Sequence, residues 1–293
     1  MKDEKDNANS VPDTGHEWDG IRDLTNPPPR WWTIWFHLSW VFVLGYALLY
    51  PSIPYLTDNS KGLLGYTQIK ELKDDIKVAD AEWKQKFSEQ ENKLSTQSVD
   101  QIMQDKDLVK YVIETSKVVF GDNCSPCHGS GGQGNPGYPV LVDDDWLYGG
   151  TVTQIFDSIS KGREGMMLAH EKQLNEKEAD DLVEHVIAMT KGKEHEAGKQ
   201  LYVTKGCMGC HGMEGKGMEA LGAADLTDQI WRFTQGETDQ EIRDSVKHTI
   251  MYGVNAYGVE KTRKPKMPSF AGRLTEKERK KLAVFVHQLG GGA

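Results

Sequence analysis

One five-residue pattern, used twice, constrains this chain more than anything else in it: Cys124-Ser125-Pro126-Cys127-His128 and Cys207-Met208-Gly209-Cys210-His211. The two copies hold all four cysteines, so none is left to build a disulfide framework. In Cys-x-x-Cys-His, two thiols add across the vinyl groups of a haem while the neighbouring imidazole reaches the iron, and this is the spacing of a c-type haem attachment. Two covalent haems c are therefore expected. A zinc ribbon would bring its second pair within about 15 to 20 residues of the first, whereas here a domain's length of chain lies between them. A dithiol redox pair needs neither the histidine nor a second copy, and no βαβ pattern accompanies either motif.

The chain ahead of the motifs divides by character. Residues 1–30 are polar, begin with alternating lysines and acids and end in Asn26-Pro27-Pro28-Pro29-Arg30; they offer nothing to build a core and read as a cytoplasmic tail. From Trp31 to Tyr50 no formal charge occurs. At about 1.5 Å per residue such a run crosses a hydrocarbon layer of about 30 Å. Trp31, Trp32 and Tyr50 stand where interfacial aromatics belong, and Pro51 and Pro54 stop the helix. With no small-residue cleavage site behind it, 31–53 is read as an uncleaved transmembrane helix. The Lys and Arg distribution does not orient it. The motifs do, because both follow the span and haem c is attached on the outer side of the energy-transducing membrane. His37, within the span, reads as a packing residue, since one helix cannot cage a haem. In the linker 54–106, Ile69, Leu72, Ile76, Ala79, Trp83 and Phe87 form one apolar helical seam. That seam suits a spacer lying on a partner or on the haem domains, or equally an ordinary amphipathic linker.

Beyond the linker the sequence repeats. Ser116 and Phe120 precede the first motif as Gly198 and Tyr202 precede the second, each an aromatic four residues after a small side chain. Trp146 and Trp231 follow the motifs, Gln154-Ile155-Phe156-Asp157-Ser158 matches Glu241-Ile242-Arg243-Asp244-Ser245, and Asn175-Glu176-Lys177-Glu178 and Thr275-Glu276-Lys277-Glu278 read as capping boxes of a last helix. Two copies of one domain, 107–190 and 191–293, account for this. The fold expected is mainly α: one N-terminal transmembrane helix, then two tandem haem domains. The net charge of −9 argues against nucleic acid as a partner.

The second axial position of each iron decides between electron transfer and chemistry on a bound small molecule. Met267-Pro268 precedes the last helix of the second copy; its counterpart is Met166-Met167, with Met167 in register. A thioether is soft and neutral, favours ferrous iron and raises the potential. The metal ligands expected are thus His128, Met167, His211 and Met267, with the thioether links on Cys124, Cys127, Cys207 and Cys210. His170, close to Met167, is the rival sixth ligand. The basic run Lys261, Arg263, Lys264, Lys266 and the acidic run Asp143, Asp144, Asp145 read as solvated faces or, less commonly, docking edges.

Assembled, these residues resemble a known family, the dihaem subunit III (CcoP or FixP) of cbb(3)-type cytochrome c oxidases. Thr14-Gly15-His16-Glu17-Trp18-Asp19-Gly20 and Asn26-Pro27-Pro28-Pro29-Arg30-Trp31-Trp32 are similar to that family's entry into its membrane helix, and Gly62-Leu63-Leu64-Gly65-Tyr66 to its exit. Asp144-Asp145-Trp146-Leu147-Tyr148-Gly149-Gly150, and Leu226-Thr227-Asp228 with Trp231, complete the pattern. The resemblance implies two cytochrome c-type domains in the periplasm on a single-pass anchor in the bacterial inner membrane. It implies electrons taken from a cytochrome c donor and passed, through a monohaem cytochrome c subunit, toward the haem-copper catalytic subunit. It departs from the family where Leu168 follows Met167, where His170 stands in place of an aromatic, and where 253–266 looks inserted. A free-standing membrane-anchored dihaem shuttle and a dihaem peroxidase or gas sensor are the competing readings. The second would need an open or histidine-blocked iron beside an acid or base.

Overall fold

The structure, a computed structural model, describes residues 12–234 and 238–291, so the first eleven residues of the expected tail lie outside it. The chain divides into two units between Lys86 and Phe87.

In the first unit, β1 (Asp13–Trp18) and β2 (Ile21–Leu24) pair antiparallel. They close on Asp19-Gly20, both at positive φ (49° and 84°), the twist that lets a two-residue turn match right-handed strands. The plain polar tail expected there is a hairpin, although all its strand residues are exposed and no core forms. α1 (Arg30–Leu49) is long and apolar enough to cross a membrane. Its last carbonyls would be orphaned. The chain turns back instead, and the N–H groups of Leu63 and Leu64 donate to Leu48 and Leu49 at 3.0 and 3.1 Å. The His37 ring lies 2.7 Å from the Thr33 carbonyl, a partner within its own helix. α2 (Gln68–Thr96) starts in this unit with Ile69, Leu72, Ile76 and Trp83 exposed, and leaves helical geometry at Phe87 (φ −118°, ψ 17°). The unit boundary falls at that break.

The second unit holds α3 (Val99–Gln104), α4 (Lys106–Asn123), α5 (Ser125–His128), α6 (Val152–Lys161), α7 (Glu176–Met189), α8 (Glu196–Thr204), α9 (Met208–His211), α10 (Asp239–Tyr252) and α11 (Glu276–His287). Both capping boxes expected at the last helix of each repeat are present, and equivalent ones at Thr151 and Thr238 open α6 and α10. Each satisfies two amide N–H groups that the helix start would otherwise leave bare.

The repeats follow one another in sequence, but their last helices change places. The first core joins α3, α4 and α6 to Leu282, Ala283, Val284, Phe285 and Val286 of α11. The second joins α8 and α10 to Leu182, Val183, Val186 and Ile187 of α7. The small-then-aromatic pairs mark where helices cross. Ser116 and Phe120 are buried, with Phe120 5.2 Å from Phe285. Tyr202 lies 5.5 Å from His185, and a Cβ on Gly198 would strike the backbone of α7. The first lobe is therefore discontinuous, built from the chain up to Arg163 and after Arg263, and the second lobe is the continuous stretch between. That stretch meets its own last helix first, as a permuted domain inserted in a loop would.

The end of α2 is clamped onto the first lobe by one carboxylate. Glu91 accepts from Tyr111 Oη at 2.7 Å, Lys277 Nζ at 2.8 Å and Lys281 Nζ at 2.7 Å. Burial would push its pKa up, but the bonds from Lys277, Lys281 and Tyr111 outweigh burial and bring it to about 2. A depressed carboxylate stabilises the fold above its unfolded pKa, and that contribution is lost as pH falls toward the folded value. Glu91→Gln should therefore remove about 1–2 kcal/mol at pH 7, screening included. The difference from the parent should shrink between pH 4.5 and 2. Urea midpoints at pH 7 and pH 3 check it: an equal gap at both would show that this charge contributes nothing.

Candidate functional site

Each Cys-x-x-Cys-His forms a single helical turn, α5 or α9, just past the end of α4 or α8. What that turn positions is an imidazole. His128 Nδ1 is 2.9 Å from the Pro139 carbonyl and His211 Nδ1 2.9 Å from that of Ala224. A carbonyl can only accept, so in both rings Nδ1 carries the hydrogen and Nε2 presents its lone pair. Burial pushes the His128 pKa down against the pull of the Pro139 bond, which keeps the ring neutral, as a ligand must be.

Cys124 packs against the first core and Cys207 against the second, while Cys127 is half-buried and Cys210 exposed. Burial, then Cys127, pushes the Cys124 thiol up to about 11, and burial raises Cys207 as well. The two pairs lie in different lobes, and among the described residues no three His, Cys, Asp or Glu side chains converge to hold a free ion. The set fits a haem c attached through two thioethers with one imidazole on iron, and it does not fit a shared zinc.

The methionine loops cross between the lobes with the helices. Met267 and Arg163 exchange both backbone hydrogen bonds at 2.9 Å, and Met167 exchanges bonds of 2.8 and 3.1 Å with Val254. Met267 packs on the core that contains Cys124. Met167 pairs just past α10, whose Val246 and Ile250 share the second core with Cys207. The two loops are in identical register. Gly162 and Gly253, at φ 74° and 68°, end α6 and α10, and a Cβ on either would land on the carbonyl of Met267 or Met167. Three residues on, Phe270 N–H donates to Ile159 O at 3.1 Å, and His170 N–H to Ile250 O at 3.2 Å. Met167 is thus the equivalent of Met267, and Met166 points outward, 66% exposed. His170 takes the place of the buried Phe270, and burial lowers its pKa.

The segment 253–266, read as an insertion, is a closed loop. Asn255 N–H donates to Arg263 O at 2.7 Å and Arg263 N–H to Gly253 O at 3.3 Å. Asn255 Nδ2 donates to Gly165 O at 2.8 Å and Pro265 O at 3.0 Å, buckling together the two strands that carry the chain from lobe to lobe. A second tie is the ion pair of Arg232 with Asp145, both side chains 12% exposed. Burial raises the Asp145 pKa while Arg232 opposes it. Neither charge run is a simple solvated face: Asp145 turns in to Arg232, Lys266 pairs with Glu164 at 2.6 Å, and Arg263 is half-buried.

Sequence reasoning missed Pro139, Ala224, Gly162, Gly253 and Asn255. The two carbonyls act through the backbone and leave no side-chain signal. The glycines were visible, each directly after a helix of the repeat.

Comparison with known proteins bears on these sites. Residues 10–57 match the N-terminal domain of cytochrome oxidase-cbb3, FixP. Residues 112–186 match cytochrome c oxidase, cbb3-type, subunit III, and 195–290 match cytochrome c. The chain is 37% identical over 304 residues to cbb3-type cytochrome c oxidase subunit FixP of Bradyrhizobium diazoefficiens, covering 99% of this chain and 98% of the relative. It is 37% identical over 302 residues to subunit FixPc of Rhizobium leguminosarum, with 98% of each covered. To subunit CcoP of Cereibacter sphaeroides it is 34% identical over 312 residues, covering 100% and 99%.

Proposed function

The chain belongs to the family of cbb3-type cytochrome c oxidase subunit III, whose members are named FixP or CcoP, and from that premise we propose how it relays electrons. It is an electron-transfer subunit of an oxidase, with an N-terminal helix able to anchor it and two cytochrome c-type repeats. Two haems c, when bound, supply one-electron centres that pass charge with little rearrangement. The lobes face the periplasm, receive electrons from a cytochrome c donor and hand them to a monohaem cytochrome c subunit and the haem-copper subunit. Oxygen reduction and proton pumping belong to another chain, because α1 carries a single histidine, His37.

The observation that carries this reading is the repeated pair of candidate iron donors. His128 and His211 each offer a neutral Nε2, fixed by a backbone carbonyl. Met267 serves the first lobe and Met167 the second, each locked by backbone pairing. With both donors engaged, each iron would be closed to substrates, which suits a relay rather than a peroxidase. Cys124 and Cys127, and Cys207 and Cys210, would hold the two haems by thioethers.

Detergent extraction tests this. The chain is expected to co-purify with haem b and copper and to carry two thioether-type haems by its pyridine haemochrome, falling to one in Cys207→Ser/Cys210→Ser. Purification as a lone chain would favour the free shuttle, and rapid carbon monoxide binding by the reduced chain would favour a sensor or peroxidase.

A further inference from the structure

Both lobes carry the same three-part constellation around an arginine. In the first, the Arg163 guanidinium lies 4.5 Å from the centroid of the Tyr148 ring and its Nε donates to Ser158 Oγ at 2.9 Å. In the second, the Arg263 guanidinium lies 4.6 Å from the centroid of Phe233, and its Nη2 donates to Ser245 Oγ at 3.0 Å. Tyr148 and Phe233 each stand two positions after the repeat tryptophan, Trp146 or Trp231, and Ser158 and Ser245 are equivalent positions of α6 and α10.

The two arginines are not equivalent in sequence. Arg163 follows Gly162 directly, and the residue after Gly253 is Val254. Arg263 comes from the far end of the 255–262 loop and pairs back onto Gly253 through its own N–H at 3.3 Å. One molecule thus brings a guanidinium to the same place by two chain routes, which packing alone would not require.

Neither cation meets a carboxylate within ion-pair distance among the described residues. Beyond Ser245 Oγ, Arg263 donates to Thr249 Oγ1 at 3.1 Å, Phe233 O at 3.3 Å and Ser245 O at 3.3 Å, all neutral oxygens. Burial alone pushes its pKa down. Arg163 lines a cavity of about 290 Å³ with Tyr148, Gln154, Glu219 and Ala220, where Glu219 accepts from Gln154 Nε2 at 3.0 Å and makes no ion pair with the guanidinium. A half-buried cation seated on a ring and facing only neutral oxygens, as Arg263 does, is costly until an anion meets it. The planar fork of a guanidinium selects a carboxylate.

Each arginine also sits beside its lobe's candidate sixth ligand, Arg163 paired with Met267, and Arg263 alongside Val254, which pairs with Met167. Resting on the haem c reading above, the geometry points to Arg163 and Arg263 as paired carboxylate anchors, one per lobe, each receiving a propionate of the haem attached in that lobe. A positive charge fixed near the iron favours the ferrous form, so each anchor raises the potential of its own haem.

Redox titration of the full-length, haem-loaded protein in detergent tests this, with haem content measured alongside. Arg163→Gln should lower only the midpoint of the haem on Cys124 and Cys127, and Arg263→Gln only that on Cys207 and Cys210. The expected size is about a tenfold change in the reduction equilibrium, roughly 59 mV for one electron. Arg→Lys at either site should recover part of the fall, since the charge returns without the fork. If a Gln variant does not accumulate, its Lys counterpart should still show a smaller fall at the same haem alone. Two haems present with both midpoints unmoved would overturn the inference while leaving the relay intact. Equal falls at both haems, or a Lys variant as low as its Gln counterpart, would overturn it too. Absence of thioether-bound haem would instead remove the reading beneath it.

Discussion

Met267→Ala is expected to strip the thioether from the haem on Cys124 and Cys127, the attachment site of the other repeat, and to leave the haem on Cys207 and Cys210 intact. Met267 exchanges both backbone bonds with Arg163 and packs on the core that holds Cys124, while the loop past α10 is closed by Met167. Losing a neutral sulfur ligand removes the preference for ferrous iron. The midpoint of that one haem should fall on the order of 0.1–0.3 V, within the roughly 0.8 V that axial ligation commands. The assignment is read in two backgrounds. With only Cys124 and Cys127 left to attach haem, Met267→Ala should abolish the thioether-to-iron charge-transfer band and Met167→Ala should not. With only Cys207 and Cys210 left, the roles reverse. The opposite pattern would mean that each methionine serves its own repeat and that the exchange of loops is wrong.

Much of this site was legible because its chemistry is local. The two Cys-x-x-Cys-His motifs, the charge-free run of α1, the capping boxes at Asn175 and Thr275, and the register of Met167 with Met267 all reside in short stretches whose side chains announce their geometry. Partner choice is different. Nothing in α7 or α11 says whether it packs on the helix of its own repeat, because both copies offer the same seat: Ser116 and Phe120 on α4, Gly198 and Tyr202 on α8. Two equal seats make exchange and non-exchange degenerate at the level of pattern. The choice then falls to connection length and to ties such as Asn255 with Gly165 and Pro265, which are visible only in three dimensions. Arg263 was hidden for a related reason. Within a basic run it reads as solvated, and only the closed loop turns it inward onto Phe233. The hairpin at Asp13–Leu24 is plainer in the sequence, since Asp19-Gly20 between Trp18 and Ile21 is a strong two-residue turn signal. Core-forming potential does not reveal it, because a hairpin whose strand residues are all exposed has none.

The same degeneracy makes α11 a sharp place to cut. Phe285 is 9% exposed and its ring lies 5.2 Å from Phe120 of α4. Truncating a buried phenylalanine typically removes about 3–5 kcal/mol through lost transfer free energy and the cavity left behind. That is a large part of the roughly 5–15 kcal/mol that stabilises a domain. In a chain of two self-contained repeats, Phe285→Ala would weaken the lobe around Cys207 and Cys210. Here it should weaken the lobe around Cys124 and Cys127, because Phe285 shares that core with Ile155, Ile159 and Leu282. The second lobe draws its last helix from α7 and has no residue of α11 in its core. Urea unfolding followed by the Met-ligation band of each haem, in the same single-haem backgrounds, is expected to show the midpoint of the first lobe moving to lower urea with the second unmoved. A shift confined to the second lobe would show that the helices keep to their own repeats. A shared shift would show that the two lobes unfold as one cooperative body, coupled through Arg232 and Asp145.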